Sequence, residues 1–398
     1  MDRPGGVQAH VRDTAAALGE LGHQVTIISP NVGAAAGERA NDAQNVRTVR
    51  LGQAHSVRLS GTKFEVSIAL GYQGRRLAAV MRQGRFDVVH YHALWTPLIA
   101  LQAFACSSSP NVVTFHDTPP DTRSGAISRA LMRAASKVML PYIDGVIAVS
   151  EAPRAHLNAA PGQRVWVAPP CTDLRRFAPS EPSAETVPGQ PVKILFVGRL
   201  EPRKGVMLLL EGYRRLIADG LAVELVIAGS GAEEPALRQF VARHHLPGVS
   251  FLGRFEEAAS PGLYAACDIA CAPSPYGESF GIVVAEAMAS GKPVVAAANR
   301  GYRTLLTGEA AALLAPAGDA DGLYQRLKTL VLDPGLRAKF GAWGQERALL
   351  YDCRSVAPTL LEVYRSAMAS PRRVRRLNAQ WGRRPDLILD PEPEGLAK

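Results

Sequence analysis

Strand-like and helix-like segments alternate along this chain in two successive blocks, and this pattern restricts the fold more than any other feature. In the first block, the strand-like runs are rich in Val and Ile and lie at residues 24–29, 86–92, 112–116 and 145–150. The helix-like segments lie at residues 7–21, 65–83 and 127–140. Because near-continuous apolar strands separated by helices are typical of a parallel sheet covered on both faces, the block predicts an α/β domain.

The alternation stops at a proline-rich stretch and then starts again. Residues 178–191 contain four prolines and no apolar periodicity, which is typical of an interdomain linker. The strand-like runs of the second block lie at residues 192–197, 224–228, 249–252 and 269–272. A chain of 398 residues is long enough for two domains with separate cores. We therefore expect two similar α/β domains that face each other across a cleft.

The composition, with 47% hydrophobic and 20% charged residues, is that of a soluble globular protein. The sequence contains no run of about 18 uninterrupted apolar residues, so a transmembrane helix is not expected. The segment Met1–Gly6 lacks the basic and then apolar order of a signal peptide. We expect a cytoplasmic, monomeric protein.

The net charge of +9 suggests an acidic partner. Part of the excess lies in the proline-interrupted tail at residues 371–398, where basic residues outnumber acidic ones. This tail is either a solvated, flexible extension or a segment attracted to an anionic membrane surface. Nucleic acid is not an expected partner, because no recognisable binding module or aromatic platform accompanies the charge.

Neither the cysteines nor the acidic residues form a convincing metal site. The five cysteines are odd in number and include no CxxC pair, so we expect all of them to be reduced thiols. Asp319 and Asp321 have the spacing of a metal-binding pair, but they stand before an apolar helical pattern and suit a helix N-terminus better. We expect neither a metal nor a cofactor.

Two carboxylates, Glu278 and Glu286, stand eight positions apart around a predicted strand-to-helix corner. Open α/β sheets bind ligands at such corners, where free backbone N–H groups and the helix dipole attract an anion. Gly281 has no Cβ to hold a phosphate away. If a phosphate binds there, Glu278 would be repelled by it and would accept hydrogen bonds from neutral hydroxyls instead. The combination indicates a sugar nucleotide.

The loop Gly198–Gly205 directly follows the first strand of the second block. In the functional interpretation, Gly198 permits close approach at the strand end, while Arg199 and Lys204 flank a leaving diphosphate. Without a metal, fixed cations and backbone dipoles must stabilise the developing negative charge. The alternative is a solvated loop with accidental basic residues.

Two features of the first block complete the candidate site. Gly6 precedes a helix and either forms a simple turn or places its backbone against a phosphate, with Gln8 and His10 facing an acceptor. His116 ends the strand at residues 112–116, where a side chain can enter the cleft. A structural role for His116 stays open, because histidines also end another strand.

These motifs together resemble glycosyltransferase family 4, the retaining enzymes whose GT-B fold has two Rossmann-like, doubly wound domains. The motifs are Pro4–His10, Thr114–His116, Gly198–Gly205 and Gly277–Glu286, and the similarity extends from Pro4 to about Tyr364. Within the family, the chain is most similar to the actinobacterial phosphatidylinositol mannosyltransferases.

The resemblance implies a role for each matching residue. The implied catalytic residues are His116, Arg199, Lys204 and Glu278. The implied donor contacts are Gly6, Gly198, Arg199, Lys204, Glu278, Ser279, Phe280, Gly281, Ile282 and Glu286. Among these, Glu278 would bind the sugar hydroxyls and Glu286 the ribose. The implied acceptor contacts are Gln8, His10 and His116. The reaction would transfer a hexosyl group with retention, without a metal or an obligatory covalent intermediate.

The resemblance also predicts the domain boundaries. An acceptor-binding domain is expected at residues 1–170, a linker at 171–191 and a nucleotide-sugar-binding domain at 192–352. A last helix at 353–370 would cross back onto the first domain, ahead of the basic tail at 371–398.

Three departures from the family pattern matter. Only Met1–Arg3 precede Pro4, so either the start codon is misassigned or the first sheet lacks a central strand. Where the mannosyltransferases have a lysine near the guanine, this chain has Ser260, which leaves GDP-linked and UDP-linked donors open. His116 is followed by Asp-Thr-Pro-Pro instead of a hydroxyl-rich stretch, which leaves the acceptor headgroup open.

The expected function is transfer of mannose from GDP-mannose to a phosphatidylinositol-like or other lipid-linked acceptor. The basic segment Gly74–Arg82 would then support docking at the inner face of the cell membrane, although a solvated helix end is the alternative. Another enzymatic possibility is a UDP-sugar donor with a soluble cyclitol, metabolite or polysaccharide acceptor. A third is a catalytically impaired protein that only binds nucleotide sugars.

Overall fold

The computed structural model describes residues 5–31, 38–41, 45–59, 62–92, 98–119, 123–179 and 189–369. Residues 1–4, most of the predicted linker at 178–191 and the whole basic tail at 371–398 lie outside this range. Within it, no helix is long and apolar enough to cross a membrane.

The described residues of the first half form two four-stranded sheets. The strands of the first sheet are β1 (Val25–Asn31), β2 (Glu38–Asn41), β3 (Val46–Leu59) and β4 (Thr62–Ile68). Those of the second are β5 (Val89–His92), β6 (Asn111–Phe115), β7 (Gly145–Ala148) and β8 (Val165–Val167). The helices of this half are α1 (Gly6–Glu20), α2 (Tyr72–Gln83), α3 (Leu98–Cys106), α4 (Arg123–Met139) and α5 (Glu151–Arg154).

A gap separates these two sheets. Among the described residues, β1 pairs only with β3, and β5 pairs only with β6. The free edges of β1 and β5 both line one large cavity, through Val25–Ser29 and Val89–His92 respectively. No strand among the described residues joins the two sheets, and the missing central strand stays a prediction alongside a misassigned start codon.

The predicted helix at residues 65–83 is wrong at its beginning. Residues 62–68 form β4, which pairs antiparallel with β3. Phe64, Val66 and Ile68 alternate with polar residues, a period of two that fits a strand. The helix itself begins at Tyr72, after Gly71 has turned the chain with a φ of 54°.

The second half contains one continuous parallel sheet. Its six strands are β9 (Val192–Val197), β10 (Val223–Ala228), β11 (Val249–Gly253), β12 (Ile269–Ala272), β13 (Val294–Ala297) and β14 (Leu314–Ala315), in the order β11-β10-β9-β12-β13-β14. The helices are α6 (Val206–Ala218), α7 (Glu234–Arg243), α8 (Ser260–Ala265), α9 (Ile282–Ala289), α10 (Ala320–Leu332) and α11 (Pro334–Ala348). Asp319 caps α10 by accepting a hydrogen bond from the Asp321 amide, as the sequence predicted.

The last helix, α12 (Cys353–Ala369), packs on the sheet of the first half. Its buried Val356, Leu360 and Val363 lie in one apolar cluster with Val112 of β6 and Ile147 of β7. The chain therefore returns to its first half after completing the second.

The prediction of five reduced cysteines is wrong for two of them. Cys171 and Cys353 form a disulfide across 182 residues of sequence, and Cys106, Cys267 and Cys271 are free. The backbone brings the pair together, since the Cys353 amide donates to the Thr172 carbonyl oxygen at 3.1 Å. Sequence spacing gives no signal for a pair that the tertiary fold creates.

Candidate active site

The corner between β12 and α9 has the conformation that the sequence predicted. Gly281 immediately precedes α9 with a φ of 107°, which side-chain-bearing residues rarely adopt. A Cβ there would stand 2.5 Å from the ring of Tyr302, so only glycine fits. No side chain of the described residues caps the helix. The Val284 N–H donates to the Gly281 carbonyl oxygen, whereas the N–H groups of Ile282 and Val283 have no acceptor within the helix and can bind an anion.

A cluster of charges lies beside this helix end. Lys204 Nζ is 2.6 Å from Glu278 Oε1, and Arg203 Nη1 is 3.4 Å from the same oxygen. The three side chains are largely buried, with exposed fractions of 15%, 10% and 19% for Lys204, Glu278 and Arg203. Residues that lie some 74 positions apart in sequence therefore meet in one charged group.

Two further arginine contacts extend the cluster. Arg199 is half exposed and pairs with Glu201 at 2.7 Å. Arg203 also pairs with Glu201, at 3.1 Å. Sequence reasoning assigned no role to Arg203, although it stands directly before Lys204. The adjacency of the two cations was the signal that could have identified it.

Glu286 lies one turn into α9 and is partly protonated near neutral pH. The Tyr264 hydroxyl donates a hydrogen bond to Glu286 Oε2 at 3.0 Å. Burial raises the pKa of Glu286 to about 7, against the opposing effects of the Tyr264 hydrogen bond and the Arg176 charge. Sequence reasoning missed Tyr264, which no recognisable motif marks.

The N-terminus of α1 forms the opposite wall of the cleft. A Cβ on Gly6 would lie 3.2 Å from Ile282 Cδ1 at the start of α9, so the ends of the two helices nearly touch. Gln8 lines the cavity beside Gly6. His10, in contrast, is only 2% exposed and lies behind this wall. The structure thus brings Gly6 and Gln8 to the cleft and buries His10.

Four histidines meet in the first half, next to this wall. His92 Nδ1 lies 3.1 Å from His116 Nε2, and the rings of His90 and His92 are 4.3 Å apart. Burial lowers the pKa of His10 to about 4 and that of His90 to about 3. Burial also lowers the pKa of His92 and of His116 well below the usual value, so all four rings are neutral at physiological pH.

Polar contacts connect the two halves on both sides of the cleft. Thr118 Oγ1 lies 2.8 Å from Ser279 Oγ, and the Ser150 hydroxyl donates to the Ser279 carbonyl oxygen. On the other side, Glu257 of the second half pairs with Arg12 and Arg176. Between these contacts lies a cavity of about 2670 Å³, which Arg199, Lys204, Glu278, Glu286 and His116 all line. The volume includes the gap between the two first-half sheets.

Both halves of the chain match known glycosyltransferase families. Residues 4–176 match the family described as Glycosyltransferase Family 4, and residues 179–347 match Glycosyl transferases group 1. A phosphatidyl-myo-inositol mannosyltransferase of Mycolicibacterium smegmatis is 32% identical, over 91% of this chain and 90% of its own. A D-inositol 3-phosphate glycosyltransferase of Kribbella flavida is 29% identical, over 92% of this chain and 93% of its own.

Solved structures share the fold. Sucrose-phosphate synthase from Thermosynechococcus elongatus superimposes with a TM-score of 0.73 at 23% identity, covering 92% of this chain and 94% of its own. The Anabaena protein HepE in complex with UDP and glucose gives 0.70 at 21% identity, covering 92% and 97%. Two Rossmann-like domains with a charged corner in the cleft define a glycosyltransferase of the GT-B fold. The chain belongs to glycosyltransferase family 4.

Proposed function

We propose that the protein transfers mannose from GDP-mannose to a phosphatidylinositol-like or other lipid-linked acceptor, with retention at the anomeric carbon. One observation carries the donor assignment: the cluster of Arg203, Lys204 and Glu278 stands beside the uncapped end of α9. This arrangement offers cations to a diphosphate and a carboxylate to sugar hydroxyls in the same place. The choice of mannose and of a phosphatidylinositol-like lipid rests on the similarity to the phosphatidyl-myo-inositol mannosyltransferase of Mycolicibacterium smegmatis.

The charged cluster suggests how the donor would bind. Lys204 and Glu278 neutralise each other, with Lys204 Nζ 2.6 Å from Glu278 Oε1. A diphosphate at the end of α9 would share the Lys204 ammonium and leave Glu278 oxygens able to accept hydrogen bonds from the sugar. Because both side chains are largely buried, these charge-assisted hydrogen bonds are stronger than they would be in open water.

In the proposed step, the bond between the sugar C1 and the diphosphate oxygen breaks as a bond to the acceptor oxygen forms. The acceptor hydroxyl attacks on the face that the nucleotide leaves, and its proton passes to the departing diphosphate oxygen. Arg199, Lys204 and the α9 N–H groups stabilise the charge that develops on the diphosphate. His116 lies beside the sugar and the acceptor. We propose that this step needs no divalent metal.

The lipid acceptor requires a surface that meets the membrane, and we assign it to α2. Arg75 and Arg82 are exposed on this helix. Leu70 and Tyr72 at its beginning expose 67% and 66% of their surface. Basic side chains next to exposed apolar ones favour binding to anionic lipid headgroups. The protein would then act at the inner face of the cell membrane.

A second candidate is transfer to a soluble inositol phosphate. The 29% identical D-inositol 3-phosphate glycosyltransferase of Kribbella flavida favours it. The structurally similar HepE is in complex with UDP and glucose, so this second candidate includes a UDP-linked donor.

A two-by-two transfer assay distinguishes the candidates. Purified protein is incubated with GDP-mannose or UDP-glucose, and with phosphatidylinositol vesicles or inositol 3-phosphate. The proposal predicts product only from GDP-mannose with vesicles, and transfer that persists after addition of EDTA. Product only from the soluble acceptor would contradict the lipid assignment. Absence of both transfer and donor hydrolysis in all four combinations would contradict the transferase assignment.

A further inference from the structure

Three imidazole rings converge in the first half, at one side of the cavity. His10, His92 and His116 each offer one ring nitrogen, and these nitrogens all lie within 4.8 Å of one another. In a tetrahedral zinc site with Zn–N distances of about 2.0–2.1 Å, the nitrogens stand about 3.3 Å apart. The pair His92 Nδ1 and His116 Nε2, at 3.1 Å, already has this spacing. Ring rotations that bring His10 closer by about 1.5 Å at most would complete the set.

The hydrogen bonds of His10 leave one of its nitrogens ready to bind a cation. Its Nδ1 lies 3.2 Å from the Cys171 carbonyl oxygen. Because a carbonyl can only accept, Nδ1 carries the proton and Nε2 carries the lone pair. This Nε2 is buried, and no hydrogen-bond partner for it occurs among the described residues. A backbone carbonyl that holds the far N–H of a ligating histidine is a usual feature of protein metal sites.

The fourth histidine of the cluster is not available as a ligand. His90 Nδ1 lies 2.8 Å from the Tyr364 hydroxyl, and His90 Nε2 lies 2.7 Å from Thr114 Oγ1. Both ring nitrogens are therefore engaged, and the ring packs on His92 at 4.3 Å. His10, His92 and His116 are therefore the candidate ligands, and His90 packs against His92 without being one of them.

We infer that His10, His92 and His116 form a binding site for a divalent cation of the Zn²⁺ type. Three imidazole nitrogens suit Zn²⁺ better than Mg²⁺ or Ca²⁺, which prefer oxygen ligands. His92 and His116 line the cavity, so the fourth coordination position faces it and is open to water or to an anionic oxygen. Since the proposed transfer places His116 beside the sugar, a bound cation would compete with that role, and cation binding is therefore tested without donor or acceptor.

Calorimetric titration with Zn²⁺ tests the site in the full chain. The protein is first treated with a chelator and dialysed, and a Cys106→Ser background removes the exposed free thiol as a competing ligand. We expect one Zn²⁺ per chain. His92→Gln and His116→Gln should each weaken the affinity at least about tenfold, since even loss of an outer-shell partner costs 10–100-fold. His244→Gln, at an exposed histidine after α7, should bind like the parent.

A second readout reports the ligands directly. Co²⁺ added in place of Zn²⁺ should give intensified visible absorption bands that His116→Gln removes and His244→Gln retains. Circular dichroism of each metal-free variant checks that it is folded, and the two cavity-lining histidines decide the result if a His10 variant does not fold. Zn²⁺ affinity that is absent, or unchanged by both His92→Gln and His116→Gln, would overturn the inference.

Discussion

Strands and helices alternate in both halves of the molecule, but only the second half has a single continuous sheet among the described residues. The second half has one sheet of six strands, with β9 paired on both sides. In the first half, the described strands form two sheets whose edges β1 and β5 face a common cavity. Since sheet edges present unpaired N–H and C=O groups, β1 and β5 carry such groups on the side of the cavity in the described part of the chain.

The halves also differ in the electrostatics that they bring to the cleft. The second half contributes charged side chains that are already paired, above all Lys204 and Glu278. The first half contributes neutral histidines, because burial lowers the pKa of His92 and His116. Charged groups on one side suit a nucleotide diphosphate, whereas neutral polar groups on the other suit the hydroxyls of a sugar or an acceptor.

The largest expected effect comes from removing either member of the charged pair in the second half. Lys204→Ala and Glu278→Ala should each lower kcat/KM by about 10²–10³-fold, because a fixed charge at the reacting centre is lost. Initial rates with saturating acceptor measure this. The matched control is Lys328→Ala, which removes another lysine from an ion pair, with Asp219, outside the cleft.

The control variant should retain the parent kcat/KM, and circular dichroism should show a native fold in all three. Parent-like turnover in Lys204→Ala or Glu278→Ala would contradict the placement of the donor site in the second half. The proposed electrostatic difference between the halves would then have no role in catalysis.

A smaller effect is expected from the backbone of the donor corner. Gly281→Ala should lower the free energy of unfolding by at least about 2 kcal/mol, since it combines a forbidden backbone angle with overlap of the Tyr302 ring. Gly308 also has a positive φ, 57°, but no atom lies within 4 Å of a Cβ added there. Gly308→Ala should therefore cost only about 1 kcal/mol.

Denaturant-induced unfolding of the two glycine variants makes this comparison. Equal losses for Gly281→Ala and Gly308→Ala would mean that the corner is not the tightly packed element described here.

The smallest predicted effect is a pH dependence of donor binding. The pKa of Glu286 is raised to about 7 by burial, so the carboxylate is protonated below that pH and ionised above it. The ionised form can accept a ribose hydroxyl on each oxygen, whereas in the protonated form one oxygen carries a hydrogen and acts as a donor. The Kd for nucleotide sugar should therefore fall as pH rises through 7, by up to about tenfold per pH unit below the pKa, and level off above it.

Calorimetric titration with donor across this pH range provides the measurement, and Glu286→Gln should bind more weakly with a flat profile. The same pKa also affects the stability of the protein without donor. Because folding raises the pKa of Glu286 from 4.5 to about 7, its contribution to the free energy of unfolding is largest below pH 4.5 and is lost as the pH rises through 7. A Kd that increases with pH in the unaltered protein would contradict the ribose assignment.

Much of the fold was predictable because its cause is local. Apolar strands such as Val192–Val197 and the glycine-marked corner at Gly281 carry their structure in consecutive residues. The same applies to the lining of one cavity by motif residues, since the loops that contain Arg199, Lys204 and Glu278 follow the parallel strands β9 and β12. The ends of parallel strands lie at one edge of the sheet.

The features that sequence reasoning missed are those that the tertiary fold creates. The disulfide partners Cys171 and Cys353 are brought together by the return of α12 to the first half. The beginning of the predicted helix at residues 65–83 became β4 because β3 offers a pairing edge. Tyr264 donates a hydrogen bond to Glu286 because α8 packs against α9. No sequence motif predicts this contact.

Hydrogen exchange with and without nucleotide sugar tests most directly the claim that the donor site belongs to the second half. Mass spectrometry of the full chain, with GDP-mannose or UDP-glucose at saturation, should show slowed exchange at residues 198–205 and 278–286. The edge strands β1 and β5 should change far less. Protection confined to the first half, or none in these two segments with either donor, would contradict the account.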